Sequence, residues 1–165
     1  MFKLDATGKE TVVYNFSGYA DGATPYGLAT DSAGNLYGTT EFGGDLTCYR
    51  PYGCGTVYKL DATGKKTTLH RFNGLTDGAE PNAGVILDAK GDIYGTTVVG
   101  ALGYGTVFKL DKTGGETVLY TFTGETDGGY PRGRLLLGNA HTLYGTARGN
   151  AFGQAPDGVV FKVIP

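Results

Sequence analysis

At 165 residues and a formal net charge of -2, the chain is long enough for one ordinary domain and too near neutrality for the basic footprint of a nucleic-acid binder. Its 30 glycines lack the three-residue period of collagen, and 40% hydrophobic content with 12% aromatic residues argues against disorder. No apolar run approaches the roughly 18 residues of a membrane-spanning helix, and Met1 is not followed by a signal-peptide pattern.

In chain order the predicted elements are short strands. Met1–Leu4 and Glu10–Phe16 come first, then Tyr26–Thr30 and Asn35–Thr40. Gly55–Leu60 follows, β-branched and aromatic, and the turn Asp61-Ala-Thr-Gly64 leads into Lys66–Phe72. Gly84–Leu87, Ile93–Thr97, Gly105–Leu110 and Thr117–Phe122 continue the series. Leu143–Thr146 and Gly158–Val163 lie near the end. Nothing shows a sustained helical period.

The series repeats. Gly55-Thr-Val-Tyr-Lys-Leu-Asp61 returns as Gly105-Thr-Val-Phe-Lys-Leu-Asp111 and as Gly158-Val-Val-Phe-Lys-Val163, and Met1-Phe-Lys-Leu-Asp5 is its clipped first copy. Asp-Gly followed by Pro recurs at Asp21, Asp77 and Asp127, and Leu36-Tyr-Gly-Thr39 matches Ile93 to Thr96 and Leu143 to Thr146. The units are 1–54, 55–104 and 105–157, with a closing strand at 158–165, all in one repeat domain. Four antiparallel strands in about 50 residues, apolar on both faces, fit the blade of a β-propeller. An ordinary β-barrel or a β-solenoid is the runner-up. With strands lettered a (inner) to d (outer), the chain holds a clipped c and a full d, two complete blades, then a, b and c. That is 13 strands, or three blades and one spare.

These units resemble the GloVer repeat of bacterial surface proteins. The carrying residues are Gly34-Asn-Leu-Tyr-Gly-Thr-Thr40, Gly105-Thr-Val-Phe-Lys-Leu-Asp111 and Thr76-Asp-Gly-Ala-Glu-Pro81. Pro25-Tyr-Gly-Leu-Ala-Thr-Asp31 followed by Gly34-Asn-Leu-Tyr37 also looks like the inner strands of NHL and lactonase-like propellers. The resemblance implies an exported, often cell-anchored, propeller-like protein, and it supplies no catalytic residues.

Known propellers have roughly 4 to 8 blades, so three blades leave open faces and unpaired edges. The expectation is self-association, with the last blade taking Glu10–Phe16 from the next chain and Met1–Leu4 displaced. Two chains give six blades, the first choice. Three chains give nine, and an open fibre is the other outcome of a head-to-tail contact.

Recurring residues read as structural, because a fold needs them in every blade. Eight of the eleven Asp occupy recurring turn slots: Asp5, Asp61 and Asp111, then Asp21, Asp77 and Asp127, then Asp31 and Asp88. The glycines of the Tyr-Gly-Thr strands mark bulges or close approach. Tyr37, Tyr94 and Tyr144 read as packing residues, and His70 takes the slot of Tyr14 and Tyr120 as a packed side chain. His141 replaces a turn glycine. No EF-hand spacing, nucleophile elbow, Walker loop or catalytic residue is found, and no metal or cofactor is expected. Cys48 and Cys54, in a loop that the other units lack, would form a disulfide in an exported protein and stay free thiols in a cytosolic one.

The d–a and b–c loops share one rim of a propeller. That rim and its edges hold Tyr19, Tyr26, Tyr49, Tyr52, Tyr104 and Tyr130, with Arg50, Arg132, Arg134 and Arg148. Tyr and Arg are enriched at recognition surfaces, and variable loops on a rigid scaffold are the usual place for binding. Tyr19, Tyr26, Arg50, Tyr52, Tyr104, Tyr130, Arg132 and Arg148 are therefore the candidate ligand residues, for a glycan or a surface protein. The alternative is packing of Tyr over Gly-rich loops. The expected function is a non-enzymatic extracellular or cell-surface module; a propeller lectin and a lactonase-like enzyme are the alternatives.

Overall fold

The computed structural model describes residues 1–100, 102–149 and 157–165. Part of the third b–c loop, across the end of the third unit, lies outside the described residues. Thirteen strands follow in order: β1 (Phe2–Leu4), β2 (Glu10–Val12), β3 (Ala23–Thr30), β4 (Leu36–Phe42), β5 (Thr56–Leu60), β6 (Lys66–Arg71), β7 (Val85–Leu87), β8 (Ile93–Thr97), β9 (Thr106–Leu110), β10 (Glu116–Thr121), β11 (Leu136–Leu137), β12 (Leu143–Arg148) and β13 (Gly158–Val163). Two three-residue 3-10 turns complete the list, and no α-helix occurs among the described residues. The sheets are β1-β2, β3-β4-β5-β6, β7-β8-β9-β10 and β11-β12-β13, every pair antiparallel. The chain is all-β, with about three propeller blades entered and left in mid-blade.

The repeated residues explain why each blade closes. In the c–d turns, Asp61 accepts from the Thr63 amide at 2.9 Å, the Thr63 hydroxyl at 2.6 Å and the Lys65 amide at 3.0 Å. Asp5 and Asp111 make the same three bonds. Asp31 and Asp88 cap the a–b turns in the same way, through the amides two and four residues on. These bonds hold all five carboxyls below the ordinary aspartate range, although burial opposes them and is the largest influence at Asp88. The third a–b turn has Gly138 in the aspartate slot and closes instead through Ala140 and His141, both left-handed.

The glycine of each Tyr-Gly-Thr segment makes room rather than a bend. Gly38, Gly95 and Gly145 pair with Tyr58, Phe108 and Phe161 of the neighbouring strand. A Cβ on Gly95 would meet Phe108 Cζ at 2.5 Å. Each aromatic lies over its glycine and packs edge-on against the last aromatic of the preceding d segment. Phe16 meets Tyr58 at 5.0 Å, Phe72 meets Phe108 at 5.1 Å, and Phe122 meets Phe161 at 5.1 Å. The last two contacts lie in the two buried clusters between blades.

Strand lengths depart furthest from the sequence reading in the first d strand and in the inner strands. The first d strand, expected over Glu10–Phe16, ends at Val12, where the regular ladder with β1 gives way to bonds converging on one carbonyl. The Val13 and Tyr14 amides both reach the Met1 carbonyl, and the Met1 ammonium donates to the Tyr14 carbonyl at 2.7 Å. The inner strands are uneven, from eight residues in β3 to two in β11.

Each d–a loop is locked by its one aspartate. Asp21, Asp77 and Asp127 accept from the amides of Ser17, Asn73 and Thr123 at 2.8–2.9 Å. Each also bonds the slot residue of the preceding strand: Tyr14 at 2.8 Å, His70 at 2.9 Å and Tyr120 at 2.9 Å. His70 is thus a hydrogen-bonding substitute for tyrosine as well as a packed ring, edge-on to Phe72 at 4.8 Å.

The next residue in this pattern changes charge from blade to blade. Lys66 bridges to Asp21 Oδ1 at 3.1 Å and lies over the rings of Phe16 and Tyr58. Its equivalent one blade on is Glu116, whose Oε1 is buried without a partner. Burial raises the Glu116 pKa, and the Asp77 charge raises it further against the opposing pull of His70. A carboxyl with a raised folded-state pKa loses stability as pH rises from its ordinary 4.5 through the raised value. Glu116→Gln is therefore expected to stabilise the fold by about 0.5–1 kcal/mol at about pH 7, with the gain vanishing below about pH 4. Urea unfolding at the two pH values checks it.

Candidate functional site

The b–c and d–a loops meet on one rim. The Glu80 amide donates to the Cys54 carbonyl at 3.0 Å, and the Tyr130 amide to the Tyr104 carbonyl at 2.7 Å, the same bond one blade apart. Cys48 and Cys54 are joined in a disulfide that lies over Gly74, where a Cβ would meet Cys54 Sγ at 2.7 Å. One blade on, the Tyr104 ring occupies the same place over Gly124 and packs edge-on against Tyr130 at 5.6 Å. The disulfide and Tyr104 thus perform one packing task in two chemistries.

The other candidate residues are spread along this rim. Tyr19, exposed and left-handed, accepts at its carbonyl from the Gly44 amide at 3.0 Å. Tyr52 is exposed, with its ring 5.9 Å from Phe42. Arg50 is exposed beside Pro51, and Arg148 is exposed at the end of β12. Tyr26 and Arg132 are brought together. The Tyr26 hydroxyl donates to Glu41 Oε2 at 3.3 Å, and the Arg132 charge acts on Tyr26 and on Glu80.

This cluster sits at the mouth of the hub, where the inner strands begin. Gly27 and Gly84 touch there, backbone to backbone; a Cβ on either would meet the other's Cα at 2.9 Å. Beneath them a cavity of about 740 Å³ runs between β3, β7 and β11, lined in part by Leu28, Ile86 and Leu135. Burial raises the Glu80 pKa, the Glu41 charge raises it further, and Arg132 opposes both. Burial likewise raises the Tyr26 hydroxyl, followed by Glu41. Two residues after Glu80, Asn82 is buried and its Oδ1 has no partner. Two carboxylates, a guanidinium and a phenol together suit a polyhydroxylated ligand better than an apolar one.

The sequence reading named Tyr26, Tyr130 and Arg132 here and missed Glu41, Glu80 and Asn82. Their signal was a break in the repeat: Glu41 stands opposite Val98 and Arg148, Glu80 opposite Thr24 and Tyr130, and Asn82 opposite Tyr26 and Arg132. Among the described residues, no group of three or more His, Cys, Asp or Glu side chains is placed to hold a metal ion.

Sheets of three or four strands around a hub, with their variable loops gathered on one rim, define a repeat protein of the β-propeller type. The chain belongs to the Gloeobacter/Verrucomicrobia repeat family, whose profile matches residues 1–165. No curated protein matches it. Among solved structures it is similar to a protein assigned as an oxidoreductase (glucose dehydrogenase) from Thermus thermophilus, with a TM-score of 0.54, 16% identity, and coverage of 87% of this chain and 45% of that one. It is also similar to a protein assigned as a gluconolactonase, with a TM-score of 0.55, 14% identity, and coverage of 97% and 54%. At these identities the likeness is one of fold, and the chain spans about half the length of both structures.

Proposed function

We propose that this chain is a non-enzymatic extracellular or cell-surface propeller module with a structural or binding role, whose copies join head to tail through their unfinished blades. One observation carries the reading: residues that are buried between blades elsewhere are exposed on the outermost faces. On the last blade, Val160 is 80% exposed, Leu136 67% and Tyr144 41%. Their equivalents Val57 and Val107, Ala29 and Ile86, and Tyr37 and Tyr94 are all buried against a following blade. On the first full blade the pattern reverses: Leu28 is 42% exposed, whereas Val85 and Leu135 are buried against a preceding blade. The two open faces are therefore the two halves of a contact that this chain already makes twice within itself.

The partner we assign is a second copy. Strand β13 is paired on one edge only, while its equivalents β5 and β9 each carry a d strand on the other. Glu10–Phe16 is a d segment held by a strand of only three residues, β1. In the proposed joint, β13 of one copy takes the place of β1 beside Glu10–Phe16 of the next. Two copies make six blades, consistent with a chain that spans about half of the propellers it resembles. A contact that fails to close gives a fibre. The Cys48–Cys54 pairing supports an oxidising, exported setting. Sedimentation velocity at micromolar concentration is expected to give twice 17.2 kDa or larger; a persistent 17.2 kDa monomer overturns the reading.

A second reading, a carbohydrate-binding propeller, is favoured by the buried, unpartnered Oδ1 of Asn82, two residues after Glu80. Both similar structures are assigned to sugar chemistry, which lends it support and extends it to a lactonase-like enzyme. A glycan array with wild type and Asn82→Ala tests it: binding lost in the variant supports the reading, and an array blank for wild type removes it.

A further inference from the structure

We infer that the joint between copies is weakened by an apposed pair of carboxylates, Glu10 of one copy and Asp127 of the next, so that association tightens on acidification. The inference rests on the head-to-tail reading above and identifies what regulates that contact.

The position follows from the internal repeats. Where β6 pairs with β5, Leu60 is opposite Lys66, Lys59 opposite Thr67, and Tyr58 opposite Thr68. Where β10 pairs with β9, Leu110 is opposite Glu116 and Lys109 opposite Thr117. The same register at the open edge sets Val163 opposite Glu10, Lys162 opposite Thr11, and Phe161 opposite Val12 of the second copy. It is also the register in which β2 already pairs with β1: Leu4 with Glu10, Lys3 with Thr11, and Phe2 with Val12. The exchange therefore preserves the ladder of β2.

The waiting space has the right lining. A groove of about 280 Å³ lies between Tyr120, Phe122, Thr126 and Asp127 on one side and Val159–Val163 on the other. Within the chain the first residue of the d strand fills the equivalent place. At the first interface this is Lys66, which bonds the Asp21 carbonyl at 2.5 Å and its Oδ1 at 3.1 Å. At the second it is Glu116, facing Asp77 and the compensating His70. At the joint it is Glu10, facing Asp127 and the Tyr120 hydroxyl that already donates to Asp127 at 2.9 Å. Tyr120 has no basic nitrogen where His70 has one. Lys162 also lines this groove, whereas its equivalents Lys59 and Lys109 lie over Tyr37 and Tyr94 on the opposite sheet face. Lys9 flanks Glu10 at the exposed turn.

Two carboxylates brought together hold a proton more tightly than they do apart. The joined state therefore binds more protons than the separate chains, and falling pH favours it. Glu10→Lys would restore the Lys66 arrangement at the joint, across to Asp127. Sedimentation velocity of wild type, Glu10→Lys and Asp127→Asn between about pH 5 and pH 8 tests this. Wild-type association is expected to weaken by about tenfold over that range, while Glu10→Lys associates at least about tenfold more tightly at pH 8 and Asp127→Asn flattens the dependence. If wild type associates but neither variant alters its strength or pH profile, this inference is wrong and the head-to-tail reading stands. If wild type and Glu10→Lys both remain 17.2 kDa monomers throughout, that reading falls, and this inference with it.

Discussion

Phe108→Ala is expected to destabilise the protein by about 3–5 kcal/mol, measured as a loss of urea unfolding free energy. Phe108 is fully buried, and its ring lies over Gly95 within its own sheet. Its edge contact with Phe72, at 5.1 Å, joins that sheet to the one before. Neither side can collapse into the space left by the ring. Gly95 has no side chain to extend, and Phe72 is held between Phe108 and His70. A repeat array draws its stability from contacts between neighbours, so loss of this ring weakens two blades at once. The chain has no Trp, so far-ultraviolet circular dichroism or tyrosine emission follows the transition. A cost below about 1 kcal/mol would show that the blades do not depend on these aromatic pairs.

Val160→Lys should separate the copies without harming the single chain. In the chain alone Val160 is exposed, so a lysine there has water around it. In the head-to-tail joint the same position takes the environment of Val57 and Val107, both fully buried. An unpaired ammonium forced into that environment is expected to weaken association at least about a hundredfold. Thermal melting at low concentration should stay within about 0.5 kcal/mol of wild type, as for other surface changes. The species then sediments at 17.2 kDa at concentrations where wild type does not. Association of Val160→Lys at wild-type strength would mean that copies meet through some other face.

The sequence made the blade legible because its structural residues recur. The turn aspartates act through bonds to residues two and four ahead, so their role can be read from a few residues. The strand at Gly158–Val163 was visible as a copy of two earlier segments. The glycines of Tyr-Gly-Thr could be placed as sites of close approach but not paired with their aromatics, because the pairing needs the register between strands. The hub-mouth cluster was only half visible. Tyr26, Glu41, Glu80 and Arg132 come from separate segments and meet only when the sheets are arranged around the hub. The shortening of β2 was also invisible, since it depends on how the Val13 and Tyr14 amides pair with another segment. Tyr104, read as a candidate for recognition, lies over Gly124 as the disulfide lies over Gly74, a substitution no local pattern reveals.

The aspartate latches at Asp5, Asp61 and Asp111 bear on how such a chain can grow. Every bond they make stays within five consecutive residues. A hairpin of this kind needs nothing distant in order to start forming, and local contacts form fast. A gene segment encoding one unit can therefore be duplicated or deleted while each hairpin keeps its own nucleus, so copy number becomes a variable that heredity can adjust in whole steps.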